Sequence, residues 1–355
     1  MLSNELLSYA KSLGFGEIYF KIDEANQLYA VIAIHSTKLG PALGGCRFIA
    51  YSSIDLAIHD ALRLAQGMSY KAALANLPLG GGKTVLMRPK QIADRKTYFQ
   101  SLGSFVNDLN GRYIIAMDSG VTTTDMDSIA LKTPYVVTTS SQGNPAPYTA
   151  LGVLRGIQAA VKFRFNRDSL KGLHIAIQGL GHVGYNLATR LHKEGVHLTV
   201  CDPNKKLANH CGKNLEANVI KSEDIYSVEC DIFSPCALGA ILNDESISQL
   251  KTMIVAGAAN NQLAEPRHAK LLQEKGILYT PDYVINAGGL IYAYTEYRNG
   301  HKEFVQQKIH GIYDTLLEIF KQADDKNKLP HEVANSMAEI RLTSTSQAVL
   351  NSLIF

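Results

Sequence analysis

Three charged residues in the first third of the chain could do chemistry together. Lys71 lies in GMSYKAA, Lys83 follows three glycines in LPLGGGKTV, and Asp118 ends the apolar segment RYIIAM. A lysine can act as a base toward water or an amine, and a carboxylate can exchange protons with an amine. A second lysine that stays charged can hold a substrate carboxylate. A lone lysine is more often a solvated surface charge, so this hypothesis depends on the fold bringing the three residues together.

The glycines before Lys83 have two interpretations. The letters G-K-T end a phosphate-binding loop, but that loop requires G-x-x-x-x-G-K-[ST]. Its first glycine would stand at position 77, which is Leu77, so the spacing excludes it. In the other interpretation the glycines remove side chains around one lysine, and a substrate or a nicotinamide ring can lie against the backbone.

A second glycine motif predicts a dinucleotide site. The motif G-x-G-x-x-G is formed by Gly179, Leu180, Gly181, His182, Val183 and Gly184. It lies between a predicted strand, HIAIQ, and a predicted helix, YNLATRLHKEG, and the next strand ends at Asp202. In this context the glycines make the turn, admit a pyrophosphate and allow close helix–strand packing, and the helix N-terminus binds the phosphates. A carboxylate at Asp202 would bind ribose hydroxyls and repel a 2′-phosphate, which favours NAD over NADP.

The elements that must position these residues alternate between strand and helix. Runs rich in β-branched residues at 28–36 and 112–118 predict buried strands. The segment 52–75 has apolar residues at helical spacing and predicts a helix, with Ser53 as its cap and Asp55 in its first turn. The first 140 residues or so therefore predict an α/β domain.

The second part of the chain continues the alternation after a turn-rich interruption at 140–150. A helix is predicted over ALGVLRGIQAAVKFRF, and the pattern is helical again from INAGGLIYAYTEY onward. Further strands are predicted at 230–235, 252–257 and 277–284. Strands that alternate with helices imply a mostly parallel sheet.

Composition limits the class of protein. The chain has 355 residues, 46% hydrophobic and 19% charged, which suits a globular protein of two domains. No apolar run reaches the length of a membrane helix, and the N-terminus lacks the layout of a signal peptide. Five cysteines without a C-x-x-C pair predict a reducing cytoplasm. A net charge of +3 without a basic block predicts no nucleic-acid or membrane partner, and the eleven histidines show no metal-ligand spacing, so we predict no catalytic metal.

The motifs together resemble the branched-chain and aromatic amino-acid dehydrogenases of the Glu/Leu/Phe/Val dehydrogenase superfamily, and the leucine enzymes most of all. The similarity runs in one order through nearly the whole chain: IAIHSTKLGPALGGCR, DALRLAQGMSYKAALANLPLGGGKTV, LNGRYIIAMDSG, GNPAPYTALGV, IQGLGHVG, SPCALGAILN, AGAANNQL and YTPDYVINAGGLI. It implies NAD-dependent oxidative deamination of an L-amino acid to a 2-oxo acid and ammonium, by a homo-oligomer.

The resemblance also implies an architecture of two domains separated by a cleft. We expect an α/β substrate-binding and catalytic domain at 1–142 and a Rossmann NAD-binding domain at 143–329. The helices at about 330–355 are expected to pack back on the first domain or on the hinge.

Residue roles follow from the matching motifs. Lys83 looks like the catalytic lysine that activates water and polarises the carbonyl or carbinolamine oxygen. Lys71 looks like the lysine that binds the substrate carboxylate, and Asp118 like the acid/base that exchanges protons with the amine. Asn261 is similar to the asparagine that positions nicotinamide and substrate, and Asn260 is placed with it in the cofactor site. An inactive NAD-binding regulator is the alternative of a different class, but it would predict loss of the lysines or the aspartate, and all are present.

The pocket for the substrate side chain is predicted to be apolar. Its predicted members are Leu43, Gly44, Met68, Ala116 and Leu290. No cation is available for a second carboxylate, which argues against glutamate and favours leucine, valine or isoleucine. Tyr292 and Ala293 depart from the leucine-enzyme pattern where pocket depth would be set, so an aromatic amino acid is the alternative substrate.

Overall fold

The computed structural model describes residues 4–15 and 17–344. The chain divides into two compact units. The first unit comprises Met1–Asn144, Ala293–Gly300 and Ala338–Phe355, and the second comprises Pro145–Tyr292 and His301–Met337. Each unit contains one sheet with helices, which confirms the predicted fold class of two α/β domains. The boundary predicted between residues 142 and 143 stays a prediction.

The first unit is built on a five-stranded mixed sheet in the order β1-β2-β4-β3-β5. Its strands are β1 (Glu17–Asp23), β2 (Leu28–Ser36), β3 (Ala42–Ile49), β4 (Gly80–Met87) and β5 (Tyr113–Met117). Strand β3 runs parallel to β4 and β5, whereas β2 is antiparallel to β1 and β4. The strands predicted at 28–36 and 112–118 are confirmed as β2 and β5.

Helices cover both faces of this sheet. They are α1 (Asn4–Ser12), α2 (Ile54–Leu74), α3 (Arg95–Asp108) and α4 (Thr123–Ala130). Apolar residues of α1 and α2 form one buried cluster with β2 and β4, and those of α3 and α4 form another on the opposite face. Helix α2 begins as predicted, because the Ser53 side chain accepts a hydrogen bond from the Leu56 N–H at 3.2 Å. This cap satisfies one of the donors left free at a helix start.

The second unit contains a six-stranded parallel sheet in the order β11-β10-β9-β6-β7-β8. Its strands are β6 (His174–Gln178), β7 (His197–Cys201), β8 (Asn218–Val219), β9 (Ile232–Pro235), β10 (Ile254–Val255) and β11 (Leu278–Tyr279). This is the order of dinucleotide-binding sheets, in which the chain starts in the middle and reverses direction once. The strand predicted at 277–284 is too long: it ends at Tyr279, because Pro281 has no N–H for the ladder and precedes a helix.

The remaining helices follow the second sheet along the chain. They are α5 (Ala146–Phe165), α6 (His182–Lys193), α7 (Lys205–Leu215), a 3-10 helix (Ser222–Ser227), α8 (Asp244–Gln249), α9 (Arg267–Glu274), α10 (Asp282–Ile285), α11 (Gly288–Tyr297), α12 (Lys302–Asp325) and α13 (Pro330–Thr343). Helix α5 begins before its predicted start at residue 150, because proline is tolerated in a first turn. Among the described helices, none combines the length and apolar character needed to cross a membrane.

The part of α13 that belongs to the first unit contacts α2. The Tyr70 hydroxyl donates to Glu339 Oε1 at 2.8 Å. Arg341 Nη1 donates to the carbonyl of Ala73 at 3.0 Å, near the end of α2. The remainder of the predicted C-terminal segment, residues 345–355, lies outside the described residues.

Candidate active site

The glycines before Lys83 lie in strand β4, where the sequence analysis predicted no strand. A side chain at Gly81 would place its Cβ 2.0 Å from the Ser69 backbone nitrogen on α2, and one at Gly82 would lie 2.7 Å from the Tyr113 ring. Contacts this short are impossible, so the glycines make room for the protein's own helix and ring. The prediction that they make room for a substrate or a nicotinamide ring is therefore wrong.

Lys83 and Asp118 form a buried ion pair. Lys83 Nζ donates to Asp118 Oδ2 at 2.5 Å, and Lys83 is only 6% exposed. Asp118 directly follows β5, and the turn after it is fixed against β3. Gly120 has a φ of +83° and lies so close to the Phe48 carbonyl that a Cβ would be 2.0 Å from its oxygen, while the Phe48 N–H donates to the Ser119 carbonyl. A glycine is required at such a position, and the carboxylate is held in place by backbone contacts.

The surroundings of Asp118 stabilise its ionised form. Burial alone would raise the pKa of this carboxyl, but the charge and hydrogen bond of Lys83 and the charge of Arg47 outweigh that effect, and the pKa lies below its ordinary value. Asp118 is therefore a carboxylate near neutral pH and can accept a proton.

Strand alternation places several predicted residues on the face that carries this pair. Leu43 and Gly45 project from β3 toward it, and Gly45 is paired with Ala116 of β5. A Cβ at Gly45 would lie 2.8 Å from the Cβ of Asp118 and 3.2 Å from Lys83 Nζ. Gly45 was not among the predicted site residues, although its spacing of two residues from Leu43 was the signal that could have found it.

Gly44 lies on the other face of β3. Its Cβ position is 1.8 Å from the Gly82 carbonyl oxygen, and its own carbonyl accepts a hydrogen bond from the Tyr113 hydroxyl at 2.9 Å. The absence of a side chain at Gly44 therefore lets β3 and β4 approach each other. Its predicted part in substrate binding stays a prediction.

Lys71 and Met68 lie on helix α2, which packs on β4 through the contact of Ser69 with Gly81. Both residues are half-buried. The structure thus places them on the element that covers the face of the Lys83–Asp118 pair.

A cation that the sequence analysis did not single out completes this site. Arg47 follows Gly45 by two residues on β3, and its Nε lies 3.5 Å from Asp118 Oδ2. Its Nη1 donates to Asp60 Oδ2 on α2 at 2.9 Å, and the Tyr51 hydroxyl donates to the same oxygen at 2.7 Å. The site therefore contains two cations around one carboxylate.

In the second unit, the three glycines of the dinucleotide motif have different surroundings. Gly179 has a φ of +93°, and a Cβ there would contact Ala237 at 2.8 Å. A Cβ at Gly184 would lie 2.0 Å from the Gly179 carbonyl oxygen, so this glycine allows helix α6 to pack on the loop. The Cβ position of Gly181 has no atom within 4 Å, which leaves room for a ligand. These are the roles expected of the motif.

The start of α6 and the end of β7 offer polar groups next to this loop. No side chain caps the helix, so the N–H groups of its first turn, including those of His182 and Val183, suit a phosphate. The Asp202 carboxylate accepts hydrogen bonds from the backbone N–H of Leu180 at 2.7 Å and of Asn204 at 2.8 Å. Each oxygen keeps lone pairs for ribose hydroxyls, so the arrangement fits NAD.

The asparagines predicted for the cofactor site follow strand β10. Asn261 has a φ of +51°, and its N–H donates to Asp282 Oδ2 at 2.6 Å. Asn286 Nδ2 donates to Asn260 Oδ1 at 2.7 Å. These contacts fix the loop at the carboxyl end of the parallel strands, which is the edge where such sheets bind their ligands.

Leu290 is a buried residue of α11. Two residues further along, the Tyr292 ring stacks on Tyr148, with centroids 4.4 Å apart. This stack holds the start of α11 against α5 within the second unit.

The predicted residues are thus divided between the units. The first unit carries Leu43, Gly44, Met68, Lys71, Lys83, Ala116 and Asp118, and the second carries Gly179, Leu180, Gly181, His182, Val183, Gly184, Asp202, Asn260, Asn261 and Leu290. Lys83 meets Asp118 in the first unit, and Asp202 meets the glycine loop in the second. Within residues 4–15 and 17–344, no group of three or more His, Cys, Asp and Glu could hold a metal ion.

The fold and the two sites define an enzyme class: a dinucleotide-dependent enzyme with a buried lysine–carboxylate pair. Comparison with known proteins agrees. Residues 17–135 match the family model described as Glu/Leu/Phe/Val dehydrogenase, dimerisation domain, and residues 200–348 match Glutamate/Leucine/Phenylalanine/Valine dehydrogenase. The chain belongs to this dehydrogenase family.

Relatives extend the similarity over almost the full length. A leucine dehydrogenase from Thermoactinomyces intermedius is 48% identical over 95% of this chain and 93% of its own. An L-tryptophan dehydrogenase from Nostoc punctiforme is 44% identical over 97% and 98%. The crystal structure of L-tryptophan dehydrogenase from Nostoc punctiforme superposes with a TM-score of 0.85 at 43% identity, covering 95% of this chain and 98% of that one. The protein is an oxidoreductase of the amino-acid dehydrogenase class, and its cofactor is NAD.

Proposed function

We propose that this enzyme catalyses the reversible oxidative deamination of an L-amino acid with a branched aliphatic side chain: leucine, valine or isoleucine. One amino acid, one NAD⁺ and one water give one 2-oxo acid, one ammonium ion, one NADH and one proton. The observation that carries the proposal is the buried Lys83–Asp118 pair, 2.5 Å apart, on a sheet face that also presents Leu43 and Ala116.

The two paired residues have complementary roles in proton transfer. Asp118, ionised near neutral pH, accepts a proton from the substrate ammonium group, so that the nitrogen can form an iminium. Lys83, once it has released its ammonium proton to solvent, takes a proton from the water that attacks the iminium carbon, and its charged form then stabilises the new oxygen substituent. Asp118 returns its proton to the carbinolamine nitrogen; the C–N bond then breaks, and the leaving ammonia takes the hydroxyl proton and departs as ammonium. Lys71 binds the substrate carboxylate.

The second unit holds the cofactor in this proposal. NAD, when bound, accepts the hydride from the α-carbon of the substrate. The free N–H groups at the start of α6 bind the pyrophosphate, and Asp202 binds the adenosine ribose. Asn260 and Asn261 orient the nicotinamide end and the substrate.

The preference for an aliphatic side chain is supported by the chemistry of the predicted pocket. Leu43 and Ala116 lie on the sheet face of the Lys83–Asp118 pair, and Met68 lies on the helix that covers it. These apolar side chains offer no partner for a second carboxylate, and burying an unpaired charge is costly. The leucine dehydrogenase relatives support the same preference. The tryptophan dehydrogenase relative supports the alternative, an aromatic L-amino acid.

We also propose that the enzyme is a homo-oligomer, since the family model matched by residues 17–135 is described as a dimerisation domain. Sedimentation analysis of the full-length enzyme measures the number of subunits. The cytoplasmic location stays a prediction from the sequence, as does the absence of a catalytic metal.

The proposal is tested by NADH formation from NAD with a panel of L-amino acids: leucine, isoleucine, valine, phenylalanine, tryptophan and glutamate. We expect kcat/KM to be highest for one of the first three. The reverse reaction, with the matching 2-oxo acid, ammonium and NADH, should give the same ranking. A higher kcat/KM for phenylalanine or tryptophan would leave the proposed reaction standing but contradict the proposed preference for an aliphatic side chain.

A further inference from the structure

Arg47 lies beside Asp118 but has no place in the reaction as described. Its side chain is 19% exposed, that of Asp118 is 22% exposed, and its Nε is 3.5 Å from Asp118 Oδ2. This Nε–H is buried and has no hydrogen-bond partner among the described residues. A buried donor without an acceptor lowers the stability of the folded protein, because the N–H has lost its hydrogen bonds to water. A small rotation of the Asp118 carboxylate would supply the missing acceptor, and such bonds often tighten only when substrate binds.

The two cations at Asp118 differ in one chemical respect. Lys83 gives up and regains a proton during the proposed reaction, so the positive charge that it places beside Asp118 is not permanent. An arginine guanidinium stays protonated under all these conditions. Whenever Lys83 is neutral, Arg47 is therefore the charge that still faces the carboxylate.

The position of Arg47 is fixed from its other side. Asp60 on α2 accepts from Arg47 Nη1 at 2.9 Å and from the Tyr51 hydroxyl at 2.7 Å, and its side chain is 16% exposed. The second oxygen of Asp60 binds Arg63 at 3.0 Å. Asp60 thus anchors Arg47 so that the guanidinium bridges α2 and the turn that carries Asp118.

We propose that Arg47 is a positioning residue for the reaction: anchored by Asp60, its permanent charge keeps Asp118 ionised and oriented while Lys83 gains and loses a proton. The inference rests on the proposed roles of Lys83 and Asp118. It agrees with the lowered pKa of Asp118, to which Arg47 contributes after Lys83.

Other ionisable groups near Asp118 do not replace this charge. On β3 the neighbour is the Cys46 thiol, and on β5 it is the Tyr113 hydroxyl; burial raises the pKa of both, so they stay neutral. On β4 the group is Lys83, and on α2 it is Asp60, which faces Asp118 through Arg47. Among these groups, Arg47 alone carries a positive charge that does not titrate.

The test measures the pKa of Asp118 directly in the full-length enzyme without substrate. Aspartate labelled with ¹³C at its carboxyl carbon is followed by NMR against pH, and the Asp118 signal is assigned by its loss in Asp118→Asn. The decisive variant is Arg47→Gln. Its matched control is Arg63→Gln, which removes an arginine from the other oxygen of Asp60 but does not contact Asp118.

We expect Arg47→Gln to raise the pKa of Asp118 by about one to three pH units, since an arginine beside an aspartate lowers it by that amount. Because the carboxylate form is needed, wild-type activity falls as pH drops through this pKa. The acid limb of kcat/KM, which reports the free enzyme, should therefore move to higher pH in Arg47→Gln, and at a pH below both limbs kcat/KM should be about tenfold lower for each unit of the rise. Arg63→Gln should leave both the pKa and the acid limb unchanged.

Arg47→Lys separates charge from anchoring and serves if Arg47→Gln does not fold. It returns a positive charge, but a single ammonium group cannot span Asp60 and Asp118 as the guanidinium does. We expect the pKa of Asp118 to stay near the wild-type value while kcat falls.

The outcomes distinguish this inference from the proposed function. An unchanged Asp118 pKa in folded Arg47→Gln would overturn the role of Arg47 and leave the proposed reaction intact. An unchanged kcat in Arg47→Lys would show that the anchored guanidinium is not needed. If Arg47→Gln raises the pKa of Asp118 but the wild-type enzyme turns over no amino acid, the proposed function is contradicted and the electrostatic effect of Arg47 on Asp118 stands.

Discussion

At the scale of single residues, the structure uses two aspartates in different ways. Asp118 faces two cations, Lys83 at 2.5 Å and Arg47 at 3.5 Å, and so holds a charge where protons must move. Asp202 accepts hydrogen bonds from the backbone N–H groups of Leu180 and Asn204 and so fixes a loop. The sequence motifs were sufficient to propose both residues, because each follows a short apolar run that predicts a strand. Arg47 was missed because no strand was predicted at 42–49; only with β3 known does its spacing of two residues from Gly45 place it on the face of Asp118.

The glycines of the dinucleotide loop give a prediction at this scale. Gly181→Ala adds a methyl group to open space, so the free energy of unfolding should stay close to the wild-type value. That space is where the pyrophosphate is proposed to lie, and we expect NADH to bind at least about tenfold more weakly, which corresponds to about 1.4 kcal/mol. Fluorescence titration with NADH and thermal unfolding measure the two quantities.

Gly184→Ala is the comparison for this experiment. Its methyl group would lie 2.0 Å from the Gly179 carbonyl oxygen, so the loop and α6 must separate. Overpacking of this kind costs about 1 to 3 kcal/mol, and Tm should fall. Equal NADH affinity in Gly181→Ala and wild type would contradict the proposed place of the pyrophosphate.

At the scale of elements, periodicity predicted α2 but not β4. Helix α2 has apolar residues at helical spacing, a serine cap and an acid in its first turn, and all of these signals agree. Strand β4 begins with three glycines, which are poor strand formers, so local sequence argued against a strand. Tertiary packing decides the matter, because only glycine fits under the Ser69 backbone and the Tyr113 ring. When the residues of a strand are small so that a neighbouring helix or ring can pack against its backbone, their low strand propensity hides the strand.

The packing of α2 on β4 gives a prediction with a control on the same helix. In Gly81→Ala the new Cβ meets the Ser69 nitrogen at 2.0 Å, so α2 must shift away from the strand that carries Lys83. We expect a loss of about 1 to 3 kcal/mol in the free energy of unfolding, and a lower kcat. Denaturant unfolding and NADH formation measure the two effects.

The control is Gly67→Ala, in the middle of α2. Its Cβ position has no atom within 4 Å, and alanine is a better helix former than glycine by about 1 kcal/mol. This variant should be as stable as the wild type or more so, with unchanged activity. A Gly81→Ala enzyme as stable as Gly67→Ala would show that the close approach of α2 and β4 is not needed.

At the scale of the whole molecule, the sequence predicted two α/β domains because two kinds of signal occur in succession. The first part of the chain carries the lysines, and the second carries a glycine motif in its full strand–helix–strand context. The parallel sheet of the second unit follows from that context, whereas the mixed order β1-β2-β4-β3-β5 of the first does not. Strand order depends on which strands meet over long distances in sequence, and an unrecognised β4 removes the central strand of that sheet.

Because the two sets of residues lie in different units, a mutation in one unit should change turnover without changing NADH affinity, or the reverse. Lys83 belongs to the first unit, and the dinucleotide loop with Asp202 belongs to the second. A change at Lys83 should therefore remove turnover without weakening the binding of NADH.

The most direct test compares Lys83→Ala with the wild type and with Lys90→Ala, which removes an exposed lysine shortly after the same strand. Amino-acid-dependent NADH formation and NADH binding are measured for each. We expect kcat of Lys83→Ala to fall by at least about a hundredfold, as when a general acid–base group is removed, with NADH affinity unchanged and Lys90→Ala like the wild type. A Lys83→Ala enzyme that keeps wild-type turnover would contradict the assignment of Lys83 as the catalytic lysine.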